Sequence, residues 1–198
     1  MKIYDISKEL FAASVYPGDP RPERRDFFSM EAGEACNVSV LTLGSHNGTH
    51  MDAPRHFVSG GRGVDRMDLE KCLGPCRVVR AQGPLDPWWV EEALAGGVRR
   101  LLIAGEIAIT LEAARRMTEL GLWFLGVEGM TVGPLGGDTG PIHRELLGNE
   151  TAVLEACVLD GVPEGDYFLV CQPLKMAGLD GSPARPLLLK GGGIERLE

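Results

Sequence analysis

Three of the chain's four histidines fall within the run His46-Asn47-Gly48-Thr49-His50-Met51-Asp52-Ala53-Pro54-Arg55-His56, and an aspartate sits among them. Imidazole suits zinc, manganese, iron and nickel, while a carboxylate can bridge two cations or complete a mixed nitrogen and oxygen shell. That density points to a metal site. A metalloprotease helix needs a glutamate directly after its first histidine, with helix-compatible residues between the two ligands. Here Asn47-Gly48-Thr49 follows His46, and glycine is costly inside a helix, so a zincin helix is disfavoured. A single histidine would be read as an ordinary polar loop residue. Three histidines and an aspartate in one register favour metal ligation over that reading.

The elements around the run must hold it. Val38-Ser39-Val40-Leu41-Thr42-Leu43 alternates apolar and polar residues as a half-buried strand does, and Gly44 breaks it. The cluster is therefore expected at a strand exit. If the chain extends again from Thr49, His50 and Asp52 at i and i+2 point to one side, and Gly48 supplies the tight reversal that brings His46 alongside. Pro54 stiffens the approach to His56. Downstream, residues 64–70 read as a loop entering a short helical turn and 76–81 as a strand. Asp86-Pro87 starts a helix over 88–95 that Gly96-Gly97 ends. Residues 100–104 form an apolar strand, Thr110 caps a helix over 111–120 that Gly121 closes, and 122–127 form the next strand. Strand, helix, strand in that order predicts a right-handed crossover and a parallel pair. Further strands are expected at 1–6, 151–155, 167–171 and 186–189, giving a mixed α/β chain with more strand than helix.

At 198 residues the sequence suits one domain over 1–198 with a substantial core. A net charge of −8 disfavours a nucleic-acid partner, because such binders present a basic stripe that displaces counterions. The short basic run Arg21, Arg24, Arg25 reads as a solvated loop face, with steering of an anionic substrate as the alternative. No apolar run is long enough to span a bilayer and the N-terminus reads as a strand rather than a signal peptide, so no membrane partner and cytoplasmic residence are expected. The five dispersed cysteines, Cys36, Cys72, Cys76, Cys157 and Cys171, do not form a disulfide framework; most are expected to be small core residues.

Two ionisable residues outside the run matter. His143 follows a glycine-rich stretch, and Glu155 ends the apolar strand Val153-Leu154. A carboxylate at the end of a buried strand is expensive unless something cationic pairs with it, and a metal would do so. Taken singly, each is equally compatible with a structural role. Lys175 and the polar turn Asp180-Gly181-Ser182-Pro183-Ala184-Arg185 read as structural, though able to line a pocket.

The segment from His46 to His56 resembles the signature of the bacterial kynurenine formamidase and cyclase family, His-x-Gly-Thr-His-x-Asp-x-Pro-x-His, at every fixed position. The resemblance extends through Tyr16-Pro17-Gly18-Asp19, Gly63-Val64-Asp65, Ala113-Ala114 with Gly121, residues 162–167, Pro173-Leu174-Lys175 and residues 180–185. It implies a swivelling β/β/α cyclase-like fold with a mixed sheet and few helices, a homodimer or homotetramer, and two divalent metal ions per chain, zinc first and manganese second. Carried over residue by residue, it makes His46, His50 and Asp52 ligands of the first metal. Asp52 would bridge to a second, held also by His143 and Glu155, whose spacing matches the family's. His56 would be the catalytic acid or base. The chain departs from the family in carrying Tyr16 where the formamidases tend to have Trp before the Pro-Gly-Asp turn, and Val127-Glu128 where Ile-Asp is usual. Tyr16 still offers an aromatic face to a substrate ring, with a hydroxyl that could select a different one.

The resemblance implies a metal-dependent amidohydrolase. Water between two cations loses much of its proton affinity, and hydroxide attack on an amide becomes feasible at neutral pH. The expected reaction is hydrolysis of an aryl formamide, N-formylkynurenine giving kynurenine and formate, so the partner is a small aromatic amide. The rivals are opening of a cyclic amide such as isatin, hydrolysis of a lactone, a metal-dependent cyclase or dehydratase, and, in another class, a metal-storage or metal-sensing protein. Storage has no need of His56, whereas an enzyme does.

Overall fold

The computed structural model describes residues 1–134 and 136–193. Its strands are β1 (Lys2–Asp5), β2 (Glu23–Phe28), β3 (Val38–Thr42), β4 (His50–Asp52), β5 (Leu73–Arg80), β6 (Gly83–Leu85), β7 (Arg100–Ala104), β8 (Ile107–Ile109), β9 (Phe124–Val127), β10 (Ala152–Glu155), β11 (Gly165–Val170), β12 (Gly181–Pro183) and β13 (Leu187–Lys190). The helices are α1 (Pro87–Ala93), α2 (Leu111–Glu119) and α3 (Gly140–Gly148).

Among the described residues nine strands make one mixed sheet in the order β1-β13-β11-β5-β7-β9-β10-β4-β12. Its centre, β5-β7-β9-β10, is parallel, and the strands on both flanks are antiparallel. Parallel neighbours cannot be joined by a hairpin and need a crossover. The segments carrying α1, α2 and α3 supply the crossovers, α2 as the alternation of strand and helix predicts. Asp86 Oδ1 accepts from Trp89 N at 2.8 Å to cap α1, and Thr110 Oγ1 accepts from Ala113 N at 3.1 Å to cap α2. Helix α3 was not legible, because its span opens on Gly140-Pro141 behind a glycine-rich loop and ends on Gly148.

β7 is buried along its whole length, as a strand covered on both faces must be. Leu101 and Ile103 join Ala113, Met117 and Leu146 in the core beneath the helices, while Leu102 and Ala104 pack with Met51, Phe124 and Leu154 on the opposite face. Cys72, Cys76, Cys157 and Cys171 are buried, as expected, and Cys36 is exposed. Glu128 holds two loops together, accepting from Gly105 N at 2.7 Å and Leu159 N at 2.8 Å.

β3 forms where its alternation predicts, but it is not half-buried. Among the described residues it pairs only with β2, in a two-stranded ribbon outside the main sheet, and no residue of either strand is buried. An alternating pattern records which positions can face a core, not whether this chain supplies one.

Candidate metal centre

The histidine run enters the sheet as β4, between β10 and β12. Before it, Gly48 takes φ +62°, the left-handed conformation the reversal requires, and a Cβ there would lie 3.2 Å from Leu10 Cδ1. Asn47 fixes the approach, accepting from Gly44 N at 2.8 Å and donating to the Pro20 carbonyl at 3.0 Å. Thr49 Oγ1 donates to the Ala156 carbonyl at 2.6 Å and accepts from Lys8 N at 2.9 Å, so it ties the motif to the residue after Glu155. Ala156 itself has φ +57°, a costly conformation for a residue with a Cβ. In the β4–β10 register Glu155 lies opposite His50 and Val153 opposite Asp52. Alternation along β4 sends Met51 to the core and leaves His50 and Asp52 on the other face.

All four histidines of the chain meet here. His50 Nδ1 donates to the Gly48 carbonyl at 2.8 Å and His143 Nδ1 donates to the Thr139 carbonyl at 3.0 Å. A carbonyl can only accept, so in the neutral form each ring presents an Nε2 lone pair. Those lone pairs face carboxylates: His50 Nε2 is 3.5 Å from both Asp52 Oδ1 and Glu155 Oε2, and His143 Nε2 is 3.2 Å from Glu155 Oε1 and 3.7 Å from Asp52 Oδ2. Among the described residues Asp52 Oδ2 is the buried side-chain polar atom left with no hydrogen-bond partner. Lone pairs directed at anionic oxygens repel unless a positive charge stands between them. The site therefore demands protons on its imidazoles or cations among its ligands.

The electrostatics carry the same demand. Burial opposes charge on His46, but Asp52 and then Asp180 raise its pKa to about 9. His50 and His143 are likewise raised against burial, chiefly by Glu155 and Asp52. Burial would raise the Asp52 carboxyl, yet His46 and His50 hold it down at about 2. Donor atoms of His46, His50 and Asp52 lie within 4.8 Å of one another, and so do those of Asp52, His143 and Glu155. Two such groups sharing Asp52 form a donor set of nitrogen and carboxylate oxygen that fits two divalent cations.

His56 stands on the adjacent 3₁₀ turn, Pro54–His56, with its ring stacked on His46 at 4.0 Å between centroids. Burial lowers its pKa against the pull of Asp52, and the neighbouring His46 and His143 add to the effect. Tyr16 lines the same cavity of about 400 Å³, together with Asp19, Phe57 and Thr131. Among the described residues no lysine or arginine lines it.

Asp180 also belongs to the site, although its turn reads as structural from the sequence. Its Oδ2 lies 3.0 Å from His46 Nε2 and 3.7 Å from His56 Nδ1, and its Oδ1 accepts from Ser45 Oγ at 3.1 Å. The β12–β4 pairing sets it there, with Gly181 opposite Asp52. A Cβ on Gly181 would fall 2.6 Å from His46 Cε1, so glycine lets this strand close against the imidazole. An Asp-Gly-Ser-Pro turn carries no mark of that pairing; the family resemblance over residues 180–185 was the one available signal.

A family model described as "Putative cyclase" matches residues 4–97. A kynurenine formamidase of Polaromonas naphthalenivorans is 36% identical over 202 residues, covering 95% of this chain and 91% of that relative. Among solved structures, a potential metal-dependent hydrolase with cyclase activity superposes with a TM-score of 0.79 at 26% identity, covering 94% of this chain and 96% of the other. Isatin hydrolase A of Labrenzia aggregata, solved with benzyl benzoate, shares the fold with a TM-score of 0.82 at 22% identity, covering 96% and 94%.

Proposed function

This chain belongs to the cyclase family that includes the bacterial kynurenine formamidases and is a metal-dependent amidohydrolase; from that premise we propose that it hydrolyses an aryl formamide, N-formylkynurenine, to kynurenine and formate. The observation that carries the reading is the pair of Nε2 lone pairs, on His50 and His143, aimed at Glu155 and the orphaned carboxylate of Asp52. His46, His50 and Asp52 would hold one cation, and Asp52, His143 and Glu155 a second. Zinc is the first choice, and manganese accepts the same donors. When bound, such cations lower the proton affinity of water and polarise an amide carbonyl.

Hydrolysis adds water across the formyl C–N bond, hydroxyl to carbon and a proton to the arylamine nitrogen. His56 moves that proton. Burial lowers its pKa, which favours the neutral imidazole that can accept, and Asp180 at 3.7 Å from Nδ1 stabilises the ring once protonated. Asp180 also fixes His46, standing behind a ligand histidine as a carboxylate commonly does. Tyr16 offers its face to the aromatic ring. With no lysine or arginine among the described lining residues, the cavity offers a substrate carboxylate no fixed cation of its own away from the histidine cluster, which suits a neutral or zwitterionic amide.

Opening a cyclic amide such as isatin uses the same groups, and Tyr16 in place of Trp, with a hydroxyl that could select a different ring, leaves it as the alternative. Turnover of N-formylkynurenine beside isatin by the zinc-loaded protein separates the two. Activity on isatin alone would replace the first reading, and no turnover of any amide after metal loading would remove both. The working protein is taken as a homodimer or homotetramer. Among the described residues no helix is long and apolar enough to cross a membrane.

A further inference from the structure

We propose that Phe57 is a positioning residue of the metal centre: its ring sets the plane of His143 for the cation that Asp52, His143 and Glu155 would hold, and at the same time fixes His56 beside that ligand. The inference rests on the reading of these residues as a metal centre and deepens it. Among the described residues Phe57 is the one non-titrating ring in contact with the histidines. It stacks on His143 with 4.3 Å between centroids and 14° between planes, and it meets His56 nearly perpendicular, at 4.4 Å and 82°. Both arrangements are ones that aromatic pairs prefer. One phenyl ring therefore touches the imidazole that ligates and the imidazole that moves the proton.

Its own anchorage is local. Phe57 ends the 3₁₀ turn Pro54–His56 and donates its backbone N–H to the Pro54 carbonyl. The turn is pinned by His56 N on the Ala53 carbonyl at 2.9 Å and Arg55 N on the Arg62 carbonyl at 3.0 Å. The half-buried side chain packs against the core beneath the helices and also lines the metal cavity. His143 approaches from α3, which, unlike α1 and α2, has no side-chain cap at its N-terminus.

Behind the His143 ring, Nδ1 donates to the Thr139 carbonyl at 3.0 Å. One hydrogen bond sets an axis and leaves the ring free to tilt about it, whereas a stacked face removes the tilt. Ligation needs this, because the direction of the Nε2 lone pair follows the orientation of the ring. The stack also has a sign. A cation on Nε2 draws electron density from the imidazole, and the negative face of a phenyl ring attracts an electron-poor ring more than a neutral one. Phe57 thus favours the metal-bound form of His143.

Chelator competition for zinc on the full chain tests the proposal. Phe57→Leu keeps apolar volume against the core and removes the aromatic face, so metal binding should weaken by about two- to twelvefold, the worth of one aromatic pair. Phe57→Tyr keeps the ring and should bind as the wild type does. In the His143→Ala background the leucine substitution should change the remaining affinity by less than about twofold, because the partner on which the ring acts is gone. With metal saturating, kcat of Phe57→Leu for N-formylkynurenine should fall by up to about 10²-fold with KM nearly unchanged, as for a displaced proton carrier. Phe57→Met gives the same comparisons if the leucine variant does not fold. An unchanged affinity, or an equal loss with and without His143, would overturn the proposal by leaving Phe57 an ordinary packing residue. A raised KM with kcat intact would also overturn it, making the ring a substrate contact. A wild type that binds zinc but turns over no amide ends the substrate reading and leaves the affinity measurements to decide this one; a wild type that binds no zinc removes both.

Discussion

Thr49→Val isolates what the motif threonine does, because valine keeps the shape and removes the hydroxyl. Thr49 is almost fully buried, its Oγ1 donates to the Ala156 carbonyl at 2.6 Å, and Ala156 is itself 4% exposed. Valine leaves that carbonyl without its partner in a place water does not reach, at a cost of about 1–3 kcal/mol. The amide of Lys8, on a half-buried residue, adds less because solvent can replace its acceptor. In a domain of this size each kcal/mol corresponds to roughly 2–4 °C in Tm, so metal-free Thr49→Val should melt about 2–12 °C below the wild type, with Thr49→Ser close to it. The same bond holds the backbone just after Glu155. Metal affinity should therefore fall along with stability, although Thr49 offers no ligand in either donor group. Denaturant titration of the stripped protein and competition with a chromogenic chelator measure the two effects. Stability within about 0.5 kcal/mol of wild type, the scatter of neutral surface substitutions, would refute the clamp.

Asp52→Ala should remove most bound metal by elemental analysis, since one carboxylate serves both donor groups; full occupancy in the variant would sink the bridging role. His56→Ala should keep its metal and lose about 10²–10⁴ in kcat; if activity returns fully once metal is restored, His56 is a ligand and not the proton carrier. Asp180→Asn keeps the shape but weakens the hold on His46, so metal affinity should fall by about 10–100-fold, measured by chelator competition, and an unchanged affinity would leave Asp180 a bystander. Tyr16→Ala should raise KM for N-formylkynurenine and cost about 1–2 kcal/mol in kcat/KM; unchanged kinetics would take Tyr16 off the substrate.

The parts of the site carried by local pattern were legible in the sequence. His50 and Asp52 share a face because β-strand side chains alternate, and Gly48 turns the chain because only glycine adopts that conformation cheaply. The crossover through α2 follows from a threonine cap and a helical apolar period. Asp180 was hidden because its place depends on a pairing with β4, more than a hundred residues earlier, through a short edge strand that contains Pro183. Helix α3, which holds His143, escaped because glycines and a proline obscure its start. The exposure of β3 escaped because an apolar face reads the same whether its cover is this chain or another.

The position of β4 also sets an order of assembly. The histidine run that contains it is synthesised early, but its neighbours in the sheet are β10 and β12, which begin at Ala152 and Gly181. At about 5–20 residues per second of synthesis, the ribosome holds His46, His50 and Asp52 for roughly 5–20 s before Glu155 exists to face them. The parallel strands β5, β7, β9 and β10 meanwhile emerge in the order in which they lie side by side, so the platform can form first and receive β4 afterwards. The nascent chain thus carries a cluster of three histidines and a carboxylate with no sheet to shape it, and a cation captured at that stage would be held by a loop and open to exchange.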